Sequence, residues 1–290
     1  MSLGPGRRWL PALFMAPGAL LTAACVLVPV VYAVQLSFYR LDSFIATPVW
    51  VGLGNYTRVL QEARFWNGLA NGLVYSLATI VPQLALGIAI ALLLDQAFRG
   101  WAWVQGVSLL PYVLPTVVVA LTWRWMLDGS LGIITVWARR LGLGVTGWFD
   151  SPALAMTVIV VVSVWIWTPF VSTAFLAALK TVPPELYEAA RVDGAGAWQR
   201  FVYVVVPAVR PVLIVIVLLR GIWMFNKFDI ILLLTHGGPL EATEHLPILS
   251  YVLTFNLFDI GGGAAVATIS FVLLASIVST YFWLFPMEEA

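Results

Sequence analysis

Cysteine and lysine are nearly missing from this chain: it has one cysteine, Cys25, and two lysines, Lys180 and Lys227, in 290 residues. A single cysteine excludes an internal disulfide and a cysteine-built zinc site. Neither lysine follows a glycine, so the G-x-x-x-x-G-K-[ST] loop that cradles nucleotide phosphates is absent. The chain therefore lacks the usual means of holding ATP. The only histidines, His236 and His245, share one loop, and a metal site there wants a third donor. Charge is scarce as well, at 10% of residues, against about 25% in a soluble domain. With a mean hydropathy of +0.96, a soluble enzyme of this size would expose large apolar patches. The same composition excludes a disordered chain, which needs low hydrophobicity and high charge. The net charge of +1 excludes a basic nucleic-acid binder.

What is present is long, uncharged and apolar. Residues 10–39, 65–94, 100–123, 151–179 and 260–287 contain no Asp, Glu, Lys or Arg. Residues 208–234 are apolar apart from Arg210, Arg220, Lys227 and Asp229. A membrane helix needs about 20 apolar residues. An open sheet would leave its backbone unsatisfied in hydrocarbon, and the alternation of a membrane barrel is absent. The fold class read from the sequence is an all-α membrane protein, one domain over 1–290. Its six spans lie at about 10–38, 69–94, 104–127, 153–179, 208–234 and 262–285. Residues 246–258 are too short to cross and suit an interfacial helix. Arg7 and Arg8 before an apolar run reaching Cys25 resemble a lipoprotein signal, but the run continues past Cys25, longer than a cleaved signal. Cys25 is read as a small apolar residue of the first span. Cations are almost evenly divided between the two sides, so charge alone leaves the orientation open.

Residues 180–206 form the most charged interior loop. Pro183 and Pro184 suit a helix start, Glu185 and Glu188 suit its positive end, and Gly194 suits a left-handed stop. A second short helix is expected from Ala195 to Val206, ending at Pro207. Two amphipathic helices joined at a glycine fit either a knob entering a partner's groove or a hairpin lying on the bilayer. Glu188-Ala189-Ala190, Asp193-Gly194-Ala195, Phe201, Pro207 and Pro211 resemble the EAA loop of bacterial ABC importer permeases, in the form of the carbohydrate-uptake branch. Trp223-x-Phe225-Asn226-x-Phe228-Asp229, Leu234-Thr235-x-Gly237-Gly238-Pro239 and Gly52-Leu53-x-Asn55-Tyr56 are similar to further segments of that family. Lys227 and His236 fill positions that vary in it, so neither identifies a sugar.

The resemblance implies a cytoplasmic coupling loop between the fourth and fifth spans, formed by Glu188, Ala189, Ala190, Asp193, Gly194 and Ala195. It implies a second, similar permease, two ATPase subunits holding ATP and magnesium, and an extracytoplasmic solute-binding protein as partners. No cofactor is expected in this chain, nor any bond-changing chemistry. The implied setting is the bacterial inner membrane and its lipids, with both termini cytoplasmic. Arg220, Trp223 and Lys227, with Asn226 beside them, repeat at helical spacing in span five; Trp165, Thr168 and Ser172, flanked by Trp167, do so in span four. Aromatic faces with a few placed polar groups suit a sugar path; tryptophan is also common at helix interfaces, and Arg220 also suits pairing with a partner's carboxylate. A stand-alone secondary transporter or channel is the alternative, but no carboxylate lies centrally in a span and no repeat is visible.

Overall fold

The computed structural model describes residues 10–96, 99–144 and 147–286; Arg7 and Arg8 lie outside them. The chain is mostly helical. In order, the elements are α1 (Leu10–Leu36), β1 (Tyr39–Arg40), β2 (Val49–Trp50), α2 (Gly54–Gln61), α3 (Ala63–Leu94), α4 (Trp101–Val113) and α5 (Thr116–Met126). There follow α6 (Ile133–Arg140), α7 (Pro152–Leu179), α8 (Pro184–Val192), α9 (Ala197–Arg200), α10 (Val206–Phe225), α11 (Asp229–Thr235), α12 (Leu246–Tyr251) and α13 (Ile260–Leu284). Among the described residues, five helical stretches are long and apolar enough to cross a membrane: Leu13–Leu36, Ala63–Leu94, Pro152–Leu179, Ala197–Phe225 and Ile260–Leu284. A sixth candidate is the pair α4 and α5, bent by 92°.

Three sequence expectations are corrected. The third span is not one helix over 104–127. Pro115 has no N–H to donate and its ring crowds the residue before it, so Leu114 turns extended (φ −71°, ψ 138°) and the helix breaks. The fifth span does not run to 234: it ends at Phe225, Asn226 leaves the helical region (φ −95°, ψ 11°), and α11 restarts at Asp229, whose carboxylate suits a helix start. The expected short helix ending at Pro207 is instead continuous with that span. A π-helical turn over Phe201–Val205 joins α9 to α10, and the Val206 N–H donates to the Phe201 carbonyl. Pro207 follows directly, where its missing donor is absorbed by the altered ladder. A two-residue antiparallel hairpin, Tyr39 opposite Trp50 and Arg40 opposite Val49, is the exception to the all-α reading.

The chain forms two compact units. Met1–Phe65 with Leu249–Phe271 make the first. Within it Asn55 Nδ2 donates to the carbonyls of Ser37 and Tyr39 at 2.8 and 2.9 Å, and Arg58 Nη2 lies 2.6 Å from Asp259 Oδ2. Trp66–Ile248 with Val272–Ala290 make the second. Here Ser151 caps α7, its Oγ accepting from the Leu154 N–H at 3.3 Å, and Pro152 takes the first turn. Ala91 and Leu94 of α3, Val171, Phe175 and Leu179 of α7, and Val209 and Ile216 of α10 share one buried cluster. The approach of α3 to α7 depends on Gly87, where an added Cβ would sit 2.6 Å from Val171 Cγ1.

Candidate functional site

The loop that carries the EAA resemblance builds one site. Glu185 lies in the first turn of α8. Gly194 has φ +75°, the Gly194 N–H donates to Arg191 O at 3.0 Å, and the Ala195 N–H to Ala190 O at 2.9 Å. These paired bonds are a Schellman cap, which a side chain at the left-handed position would strain. The cap turns the chain from α8 into the Ala197–Phe225 helix. Glu188, Ala189, Asp193 and Gly194 are exposed, Ala190 and Ala195 half-buried. Beside them a groove of about 550 Å³ is lined by Asp95, Tyr187, Glu188, Arg191, Arg200 and Phe201. Lys180 Nζ lies 2.7 Å from Asp95 Oδ1 across its edge. Partial burial, with the Asp95 carboxylate adding to it, pushes the Tyr187 phenol up from its ordinary value.

A second site gathers around α10. Arg220 is 1% exposed. Its Nε donates to Gln83 Oε1 at 2.8 Å, and Gln83 Nε2 in turn donates to Ser163 O at 3.1 Å. Tyr75 Oη and Ser163 Oγ are 2.7 Å apart, completing a polar chain through α3, α7 and α10. The Arg220 guanidinium lies 5.6 Å from the Trp223 ring centre and 5.9 Å from those of Trp167 and Phe170. Lys227 Nζ is 4.0 Å from the Trp167 ring centre and 3.0 Å from Asp229 Oδ1. Trp223, Asn226, Lys227 and Asp229 border an open cleft of about 360 Å³. His245 Nε2 contacts the Lys227 carbonyl, and burial pushes the imidazole down to about 4.

Residues 83–285 match the family described as binding-protein-dependent transport system inner membrane component. The chain belongs to that family. The trehalose/maltose transport system permease protein MalF of Thermococcus litoralis is 36% identical over 256 residues, 88% of this chain and 86% of that one. The sulfoquinovosyl glycerol transport system permease protein SmoG of Agrobacterium fabrum is 33% identical over 278 residues, 95% and 90% of the two chains. Among solved structures, a bacterial ABC transporter involved in the import of the acidic polysaccharide alginate has the same fold. Its TM-score is 0.84 at 22% identity, covering 96% of each chain. This chain is thus an inner-membrane transport permease and not an enzyme.

The permease does not bring the two expected tryptophan stripes together. Trp165, Thr168 and Ser172 line an apolar cavity of about 580 Å³ with residues of α3 and α4. The Thr168 hydroxyl donates back to Val164 O at 2.6 Å and that of Ser172 to Pro169 O at 3.0 Å. Trp167 and Phe170 of α7, rather than Trp165, meet Arg220. Within this chain Arg220 meets an amide rather than a carboxylate, its Nε donating to Gln83 Oε1. Gln83, Ser163 and Phe170 escape sequence reading. The available signal was Gln83 itself, an amide in the uncharged run 65–94. Asn226 shares the cleft with Trp223 and Lys227 but stands beyond the helix end, so the three do not lie on one helix face.

Proposed function

We propose that residues 1–290 act as the transmembrane permease subunit of an ATP-driven importer for a sugar or related polyol. On this reading six spans cross the membrane, α4 and α5 together making the third, and both termini are cytoplasmic. The loop 180–206 then faces the cytoplasm and docks on an ATPase subunit through Glu188, Ala189, Ala190, Asp193, Gly194 and Ala195. A second permease, two ATPase subunits carrying ATP and magnesium, and an extracytoplasmic binding protein complete the machine. ATP-driven closure of the ATPases shifts α8 and the Ala197–Phe225 helix that follows its cap, and the permease pair opens to the other side. The cleft at Trp223, Asn226 and Lys227 offers a stacking face, an amide and an ammonium to a hydroxyl-rich ligand.

One observation carries the coupling assignment: the EAA residues form a Schellman-capped helix end, one short turn before the unbroken Ala197–Phe225 helix that bears Trp223. Gly194→Trp is the test. An added Cβ meets nothing within 4 Å, so the penalty is backbone strain, about 1 kcal/mol. The variant complex should insert and retain basal folding but lose ATP-driven uptake. Full uptake by a well-expressed Gly194→Trp complex overturns the docking role. Topology has its own check, in a Cys25→Ser background. Cysteine at the exposed Leu240 should react with a membrane-impermeant thiol reagent in intact cells, and cysteine at Gln199 should not; the reverse pattern removes the coupling reading.

A further inference from the structure

The connection between α5 and α7 lies apart in sequence from both sites described above. Arg139 and Arg140 close α6, and both are exposed. Arg139 donates to the Gly129 carbonyl, and the Arg140 guanidinium lies 5.7 Å from the Trp137 ring centre. Neither makes an ion pair among the described residues, whereas Arg40 is 4.0 Å from Asp42 and Arg58 is 2.6 Å from Asp259. Their contacts use few of the five N–H donors that each guanidinium carries.

The helix is also two-faced. Thr135 and Ala138 are buried, and Trp148 Nε1 donates to Thr135 Oγ1 at 2.9 Å, tying that face to the protein. On the other side Ile133 and Trp137, one turn apart, are more than half exposed. Leu131 before the helix and Leu141 after it are 84% and 72% exposed. These side chains stand outside every candidate span, so lipid contact along a crossing helix does not account for them. A water-facing surface does not gather large apolar groups this way. Chain length keeps the helix near the bilayer: six residues separate it from Met126 at the end of α5, and eleven from Pro152 at the start of α7. The exposed Trp125 at that end of α5 is a side chain typical of the headgroup level.

We propose that α6 lies in the membrane interface and that Arg139 and Arg140 form a binding site for the phosphodiester of an anionic phospholipid. Ile133, Trp137 and the flanking leucines enter the acyl boundary, as in amphipathic interfacial helices. Guanidinium forks match phosphate oxygens bidentately, so this pair of arginines suits a phosphodiester. On the topology proposed above these cations lie on the outer side, the side of Arg40, Arg58 and Arg64. The inference rests on α5 and α7 crossing the membrane and is independent of the solute carried.

The experiment uses the full-length permease, Cys25→Ser and Ile133→Cys, labelled with an environment-sensitive fluorophore and reconstituted with its partner subunits in nanodiscs. One set of discs holds spin-labelled phosphatidylglycerol and the other spin-labelled phosphatidylcholine at the same mole fraction. Quenching is expected from both, and about 25-fold more from phosphatidylglycerol if both arginines contribute. The preference should fall about fivefold for each arginine removed in Arg139→Gln and Arg140→Gln, with quenching by phosphatidylcholine unchanged. Leu131→Cys gives an independent label position should the Ile133 variant fail to assemble. Absence of quenching by either lipid overturns the proposal, because α6 is then off the membrane or covered by protein. Equal quenching by the two lipids, unaffected by the arginine changes, overturns it as well.

Discussion

Arg220 sets the problem at the scale of single residues. A guanidinium inside an apolar helix stays charged, and it persists there only where its donors are met. Gln83 Oε1 accepts from Nε and Met224 Sδ from Nη2, and the rings of Trp167, Phe170 and Trp223 lie 5.6–5.9 Å from the guanidinium. Removing the acceptor should hurt more than removing the charge with it. Gln83→Leu is expected to lower the stability of the purified complex by about 2 kcal/mol, through the stranded charge-assisted bond. Gln83→Leu/Arg220→Met should recover much of that loss, as replaced buried polar pairs commonly do. Thermal unfolding in detergent of the two variants and Arg220→Met reads this directly. The sequence showed Arg220 and Trp223 as a pair on one helix face. It did not show Gln83, because the two side chains are 137 positions apart and nothing in a single apolar run says which neighbour will face it.

At the scale of elements, packing and titration make separate predictions. Gly87 lets α3 and α7 touch, so Gly87→Ala should destabilise by about 1–3 kcal/mol through overpacking. Val171→Gly removes both atoms that the new methyl would meet below 3 Å, and the double variant should be less destabilised than the two single effects added together. His245 predicts a pH effect. Its folded-state value of about 4 lies below the ordinary 6.5, so in that window the unfolded chain binds a proton that the folded chain refuses. Stability should be complete above pH 6.5 and fall by about 3 kcal/mol as the pH drops to 4. His245→Gln should flatten that slope in melting curves taken between pH 7 and 4.5. Element positions were readable wherever charge-free runs mark them. Element continuity was not: a proline broke the helix at Leu114 but was carried through at Pro207. Whether a neighbouring turn can rearrange to spare the missing donor is decided by tertiary packing rather than by the proline.

For the whole molecule, the open question is whether the cleft or the assembly needs Trp223 and Asn226. Trp223→Ala and Asn226→Ala should reduce solute uptake several-fold while leaving complex yield and binding-protein-stimulated ATPase activity near normal. A fall in uptake that merely tracks complex yield would place these residues in subunit packing instead. The family was legible because the EAA segment is a dense pattern of chemically distinct residues within one short loop. The cleft was legible in part: Trp223, Asn226 and Lys227 do border one cavity. The second stripe, Trp165, Thr168 and Ser172, went elsewhere, because helical spacing fixes which residues share a face but not which element that face meets.

The unbroken helix from Ala197 to Phe225 sets the mechanical scale of the permease. Its 29 residues make a rod about 43 Å long at about 1.5 Å per residue. A tilt of about 5° pivoting at one end sweeps the other through roughly 4 Å over such a length. That travel exceeds a hydrogen-bond length, so on the coupling proposed above a small nudge at the end beside Gly194 would suffice to make or break a contact at Trp223. The π-helical turn at Phe201–Val205 sits close to the pushed end. Any bending absorbed there subtracts from the stroke delivered, and the rigidity of that one turn sets how much of it arrives.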